Sequence, residues 1–305
     1  MILVTGGLGM IGAHTARALA DLGRDVIVTA HGRTEVPAFL TGRAHVEALD
    51  VTDRAAFLEL GERHRITDVV HLAGSIPDAD PIDYFRTDTT GLLNALEAAR
   101  TWGVRRFAVA SSLGSYVGRP EVPWHEELAL PAARAPHPII AFKKAVEPLT
   151  THALVGSDVQ PVVLRIGSTW GPLMDPESPF NPIPPYVSAA LRGEQPPVLA
   201  ADDGGDTCYA PDAGRAIAGL LTAATLRHEI YNVSSGRPYT NRELADAVRA
   251  AVPGADPQVR PGSGGHDANP YLDIGRLRAD TGFAPAFDLA VAVADYVAWR
   301  ADHPR

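Results

Sequence analysis

Apolar residues along this chain gather in short continuous runs rather than in strict alternation. Such runs fall at 2–4 (Ile-Leu-Val), within 25–30, 45–50 and 68–74, and again within 106–112 and 161–167. Between them lie stretches with apolar positions three and four apart, at 13–22, 54–64 and 89–102, the last stopped by Gly103, and a further one that carries Lys143. Runs rich in Val and Ile, separated by helical spacing, predict strands buried on both faces. That is the pattern of a parallel sheet covered by helices, a doubly wound α/β arrangement.

Past Gly167 the texture changes. Residues 168–208 are rich in proline and glycine, with one predicted helix at 185–192; a helix at 212–224 and a returning strand at 230–233 follow. Residues 241–299 carry two predicted helices and a loop at 260–265. The expected organisation is a dinucleotide-binding domain over 1–167, completed by about 209–235, and a smaller substrate-binding region from 168–208 and 236–305. No repeat or low-complexity linker separates them, so one cleft between the two is expected.

Composition narrows the picture only where it excludes. A net charge of −9 argues against nucleic-acid and anionic-membrane partners, which require clustered positive charge. The single cysteine, Cys208, excludes an intramolecular disulfide, and a cytoplasmic location is expected. The apolar start lacks a basic leader, and no run approaches the roughly 20 residues of a membrane span. Histidines are scattered without metal-ligand spacing, so no metal site is expected.

The first strand runs directly into Thr5-Gly6-Gly7-Leu8-Gly9-Met10-Ile11-Gly12 and then a helix. Glycines there permit positive φ, let the backbone approach a pyrophosphate and pack helix on strand, while the helix N-terminus offers N–H groups to phosphate. In the strand-turn-helix context this predicts a Rossmann-type cofactor site at Gly6, Gly9, Met10, Ile11 and Gly12.

Further motifs follow in order: Asp50-Val51, His71-Leu72-Ala73-Gly74, Ser111-Ser112 with Tyr116, Lys143 with Glu147, Arg165 running on to Trp170-Gly171-Pro172, Arg260-Pro261-Gly262, and 281–285. Over essentially its whole length the chain resembles the extended short-chain dehydrogenase/reductases, and more narrowly their NAD-dependent epimerase/dehydratase branch. It departs at Trp170, where the family commonly has tyrosine.

The resemblance implies a serine, a tyrosine and a lysine acting together: tyrosine exchanges the proton, lysine lowers its pKa and holds the nicotinamide ribose, and serine bonds the reacting oxygen. Ser112 matches the serine and Lys143 the lysine. The tyrosine position, four before the lysine, is Ile139, and taking Lys144 as the match gives Ile140. Isoleucine neither donates nor accepts a proton. Three explanations stay open: His137 or Tyr116 supplies the proton; the chemistry uses Ser112, water or the substrate; or the protein binds ligands without redox turnover.

Cofactor preference rests on the end of the second strand. An acid there favours NAD, whereas this chain has Ala30 followed by His31-Gly32-Arg33, which favours NADP over NAD. Asp50 and Val51 resemble the family's adenine contacts, and Asp50 equally suits a helix-capping role. Leu72, Ala73 and Gly74 are expected beside the cofactor. Among candidate substrate residues, Tyr116, Trp170 and Tyr209 would line the cleft, and Arg260 resembles a pyrophosphate ligand of nucleotide-sugar enzymes; a second such arginine is replaced by Gly205. The resemblance also implies a homodimer through 89–102 and 143–154. The expected activity is hydride transfer at a carbonyl or alcohol carbon of a small polar substrate. The alternative is a non-redox lyase, dehydratase or sensor that keeps the nicotinamide site.

Overall fold

The computed structural model describes residues 1–77, 80–133, 135–265 and 268–303. The first half alternates strand and helix except between β2 and β3, which a short 3-10 turn joins: β1 (Ile2–Thr5), α1 (Met10–Asp21), β2 (Val26–Ala30), β3 (His45–Ala48), α2 (Arg54–Arg63), β4 (Asp68–His71), α3 (Pro81–Trp102), β5 (Arg106–Ser112), α4 (Pro138–Ala153) and β6 (Gln160–Ile166). The second half is finer-grained: β7 (Thr169–Trp170), α5 (Ile183–Leu191), β8 (Leu199–Ala200), β9 (Gly204–Asp206), β10 (Cys208–Tyr209), α6 (Ala210–Thr222), β11 (Ile230–Val233), β12 (Pro238–Thr240), α7 (Asn241–Ala251), β13 (Val259–Arg260), α8 (Gly275–Thr281) and α9 (Leu289–Asp302). Residues 241–299 thus hold three helices, not the two expected. The extra one, α8, spans 7 residues, too few to show a helical period.

Seven strands form one parallel sheet in the order β11-β6-β5-β4-β1-β2-β3. Successive side chains point to opposite faces, and the core divides accordingly. Ile2, Val4, Val26 and Val28 pack with α1 and α6 on one face, while Leu3, Ile27, Val69 and Phe107 pack with α2, α3 and α4 on the other. The strand order reverses between β1 and β4, and the crevice outside their C-terminal ends is where such sheets bind ligands.

A third apolar cluster, with Trp170, Tyr186, Tyr209, Leu244 and Tyr296, belongs to the second half. It is stapled to the sheet by Asp206. That buried carboxylate accepts the Ser168 N–H just past β6 (2.8 Å), the Ser234 hydroxyl just past β11 (2.8 Å) and the Leu272 N–H (3.1 Å). No helix of the described residues is long and apolar enough to cross a membrane.

Candidate nucleotide and catalytic site

The glycine turn is built so that side chains cannot enter it. Gly6 has φ +65°, and a Cβ there would stand 2.9 Å from the Ala73 backbone; one at Gly12 would stand 2.2 Å from the Gly6 carbonyl oxygen. Gly9 opens α1 without any side-chain cap, so the first-turn N–H groups at Met10, Ile11 and Gly12 face the crevice available to an anion. These features fit a dinucleotide pyrophosphate.

Thr5 ties this turn to β4. Its Oγ1 accepts the N–H groups of Leu72 and Ala73 (both 3.2 Å) and lies 2.9 Å from Nδ1 of His71. Accepting twice leaves the hydroxyl proton for the ring. His71 is therefore a neutral acceptor, and burial, followed by the nearby charge of Lys143, pushes its pKa down to about 3.

On the other flank, α4 lies against β5. Ser111 donates its hydroxyl to Glu147 (2.5 Å), and Glu147 receives Arg165 Nε at 3.0 Å and Nη2 at 2.8 Å. This buried pair fixes the helical turn bearing Lys143, whose Nζ donates to the Ala110 carbonyl (2.8 Å). Burial lowers the Lys143 pKa to about 8, partly offset by the carboxylate of Asp88. Ser112, half-buried at the end of β5, accepts the Gly114 N–H (3.0 Å), and among the described residues nothing takes its own proton. The glycine turn follows β1, Ser112 ends β5, and Lys143 reaches β5 from α4, so all three gather at the C-terminal ends of inner strands of the sheet.

Ile139 packs into the apolar cluster with Phe142 and Val146, and Ile140 lies against Gly114. Neither register offers a hydroxyl. His137 is the N-cap of α4: its Nδ1 accepts the Ile139 N–H (3.3 Å), and the exposed ring meets Phe180 edge-on at 6.4 Å. That bond occupies the Nδ1 lone pair and ties the ring to the first turn of α4.

Three expected cleft residues are core residues instead. Tyr116 is fully buried, donating to Asn232 (2.9 Å) and accepting from Arg165 (2.7 Å). Trp170 is buried with its indole N–H on Thr207 (2.8 Å), and the Tyr209 hydroxyl donates to Asp295 (2.6 Å). Their polar atoms are spent on partners far along the chain, which removes them from the cleft. Arg260 is exposed on β13 beside β8, in the second half of the chain. Asp50 makes a local turn, accepting the Thr52 N–H and hydroxyl (2.9 and 2.7 Å), and these bonds lower its pKa. Arg33 donates to the Leu8 carbonyl of the glycine turn (3.3 Å).

One residue escaped the sequence reading. Asp88, on α3, is 8% exposed and accepts the N–H and hydroxyl of Ser75 (2.9 and 2.7 Å), just past the β4 segment. His71 enters that reading only as part of its motif, with no role of its own. A concavity of about 1760 Å³ opens beside α1, α6 and α9 and shares only Arg33 with the expected site.

Residues 2–234 match the model of the NAD dependent epimerase/dehydratase family. The chain belongs to that family. It is 30% identical to dTDP-glucose 4,6-dehydratase of Streptomyces griseus over 324 residues, covering 99% of this chain and 94% of that protein. UDP-glucose 4-epimerase of Lacticaseibacillus casei is 25% identical, with 99% and 97% covered. Among solved structures, UDP-glucose 4-epimerase of Thermus thermophilus in complex with NAD superposes with a TM-score of 0.79 at 28% identity, covering 97% of both chains. As a member of this epimerase/dehydratase family, the chain shares its fold.

Proposed function

We propose that this protein binds a nicotinamide dinucleotide, NADP in preference to NAD, and acts as a reductase or epimerase at a carbonyl or alcohol carbon of a small polar, sugar-like substrate. The observation that carries the reading is the convergence of an uncapped glycine turn, Ser112 and a buried lysine at the C-terminal ends of inner strands of the sheet. The nicotinamide, when bound, accepts and returns hydride. The α1 N-terminus holds the pyrophosphate, and Asp50, Val51 and the 72–74 segment flank adenosine and nicotinamide. Lys143 holds the ribose and Ser112 orients the reacting oxygen. His31 and Arg33, with no acid at Ala30, receive the 2′-phosphate. Residues 168–208 and 236–305 supply the substrate side, with Arg260 as its anion ligand.

A homodimer is part of this proposal. Leu93 on α3 is 51% exposed and Leu149 on α4 is 42% exposed, which suits a shared helical face. The second reading, a non-redox member of the fold, is favoured by Ile139. Calorimetry with NADPH and NADH is the test. NADPH is expected to bind more tightly than NADH, Arg33→Ser should reverse that order, and failure to bind either would sink both readings.

A further inference from the structure

We propose that Lys143 and Asp88 form a proton-handling pair: Lys143 Nζ gives and takes the proton at the reacting oxygen, and Asp88 is the positioning residue that holds the lysine's charge. This rests on the hydride-transfer reading above. In the reducing direction one ammonium N–H bond breaks and an O–H bond forms from the electron pair that the substrate oxygen gains as its carbon takes up hydride. The amine then regains a proton from solvent, and the oxidising direction runs the same bonds in reverse.

The geometry supports the assignment in three ways. First, Ile139 stands one helical turn before Lys143, so no hydroxyl intervenes on the face where one is required. Second, Nζ makes one hydrogen bond, to the Ala110 carbonyl, which leaves two of the ammonium's three donors uncommitted among the described residues. Third, Asp88 is tied to Ser75 just past β4 and Nζ to Ala110 on the adjacent strand β5, and the other charges of this region are committed elsewhere. Glu147, on the same helix, is consumed by Arg165 of β6. His71 of β4 is neutral. Tyr84 of α3 faces Asp88, and burial and that carboxylate both raise its pKa, which keeps it protonated. Lys144 turns away to the Pro131 carbonyl at 2.6 Å. Asp88 is held through Oδ1 by both donors of Ser75, so its charge is fixed in place rather than swinging with solvent. A desolvated ammonium near one carboxylate titrates within reach of neutral pH, which an acid-base group requires.

The composition makes the test direct. Lys143 and Lys144 are the chain's only two lysines. Full-length protein labelled with ¹³C at lysine Cε therefore gives two side-chain signals, assigned by Lys143→Arg. The Lys143 signal is expected to titrate near pH 8, and Asp88→Asn, which keeps an acceptor for Ser75, should lower that midpoint by about one pH unit. A merely structural Asp88 leaves the midpoint unmoved, and that result overturns the pair. So does a wild-type midpoint in the ordinary lysine range, which decides the matter even where Asp88→Asn does not fold. Lys143→Arg keeps the charge and should keep cofactor affinity by calorimetry while losing about 10²–10⁴ in turnover; full turnover in that variant also refutes the proposal. Absence of nicotinamide binding would instead count against the underlying reading, whatever the titration shows.

Discussion

Replacing Glu147 by alanine tests whether the ion pair behind α4 holds the turn bearing Lys143 in place. The side chains of Glu147 and Arg165 are 7% and 4% exposed. Deleting the carboxylate strands two guanidinium donors and leaves the Ser111 hydroxyl the longer bond to the Lys143 carbonyl (3.2 Å), while Arg165 Nη1 keeps Tyr116 and the Glu126 carbonyl. Leaving one partner of a buried pair uncompensated costs about 3–5 kcal/mol, a large share of the roughly 5–15 kcal/mol that separates folded from unfolded protein. Glu147→Gln retains an acceptor and should cost less, about 1.5–3 kcal/mol. The double change Glu147→Leu with Arg165→Met removes both charges and should be milder than Glu147→Ala alone. Urea denaturation of the four proteins reads this ordering. If Glu147→Ala stays within about 1 kcal/mol of the parent, the pair is a solvated contact and the account of how α4 is anchored fails.

Three further outcomes are expected. Gly12→Ala forces a Cβ to within 2.2 Å of the Gly6 carbonyl and should weaken nicotinamide binding about tenfold or more by calorimetry; unchanged affinity would show that the turn is not the cradle. His14 and His71 are buried with pKa values near 4 and 3, below their ordinary 6.5. The unfolded chain therefore binds more protons, and stability is intact above pH 6.5 but falls as pH drops, by about 2 kcal/mol per histidine at pH 5. Asp68, Glu126 and Asp206, raised by burial, act in the opposite sense, so the informative measurement is the difference between wild type and His14→Gln in urea midpoints at the two pH values, and identical slopes would contradict it. Finally, Leu93→Asp with Leu149→Asp should convert a dimer to a monomer in light scattering, and a monomeric wild type would end that expectation.

Most of the sheet was legible because its inner strands are buried on both faces and carry short apolar runs, whereas β3 is an exposed edge strand. Helix α3 was expected only from residue 89, yet it starts at Pro81 with Asp80 as its N-cap accepting the Ile82 N–H. Proline in a first turn reads equally well as loop. The glycine turn, Ser112 and Lys143 were readable as local spacing. The fates of Tyr116 and Tyr209 were not, because their hydroxyl partners lie 116 and 86 residues away. Asp88 belongs to no motif in the sequence reading; only the fold brings α3 beside α4 and its charge to bear on Lys143.

Asp206 also bears on how this protein can acquire new specificity. Because one carboxylate gathers the Ser168 N–H and the Ser234 hydroxyl at the exits of two sheet strands together with the Leu272 N–H, the segments of the second half are not an exchangeable cassette. A chimera that imports 236–305 from a relative must reproduce the Leu272 N–H at that carboxylate or leave a buried charge short of a donor. Changes in what the enzyme accepts would then come by substitution at exposed positions such as Phe180 and Arg260, with the scaffold beneath them inherited whole.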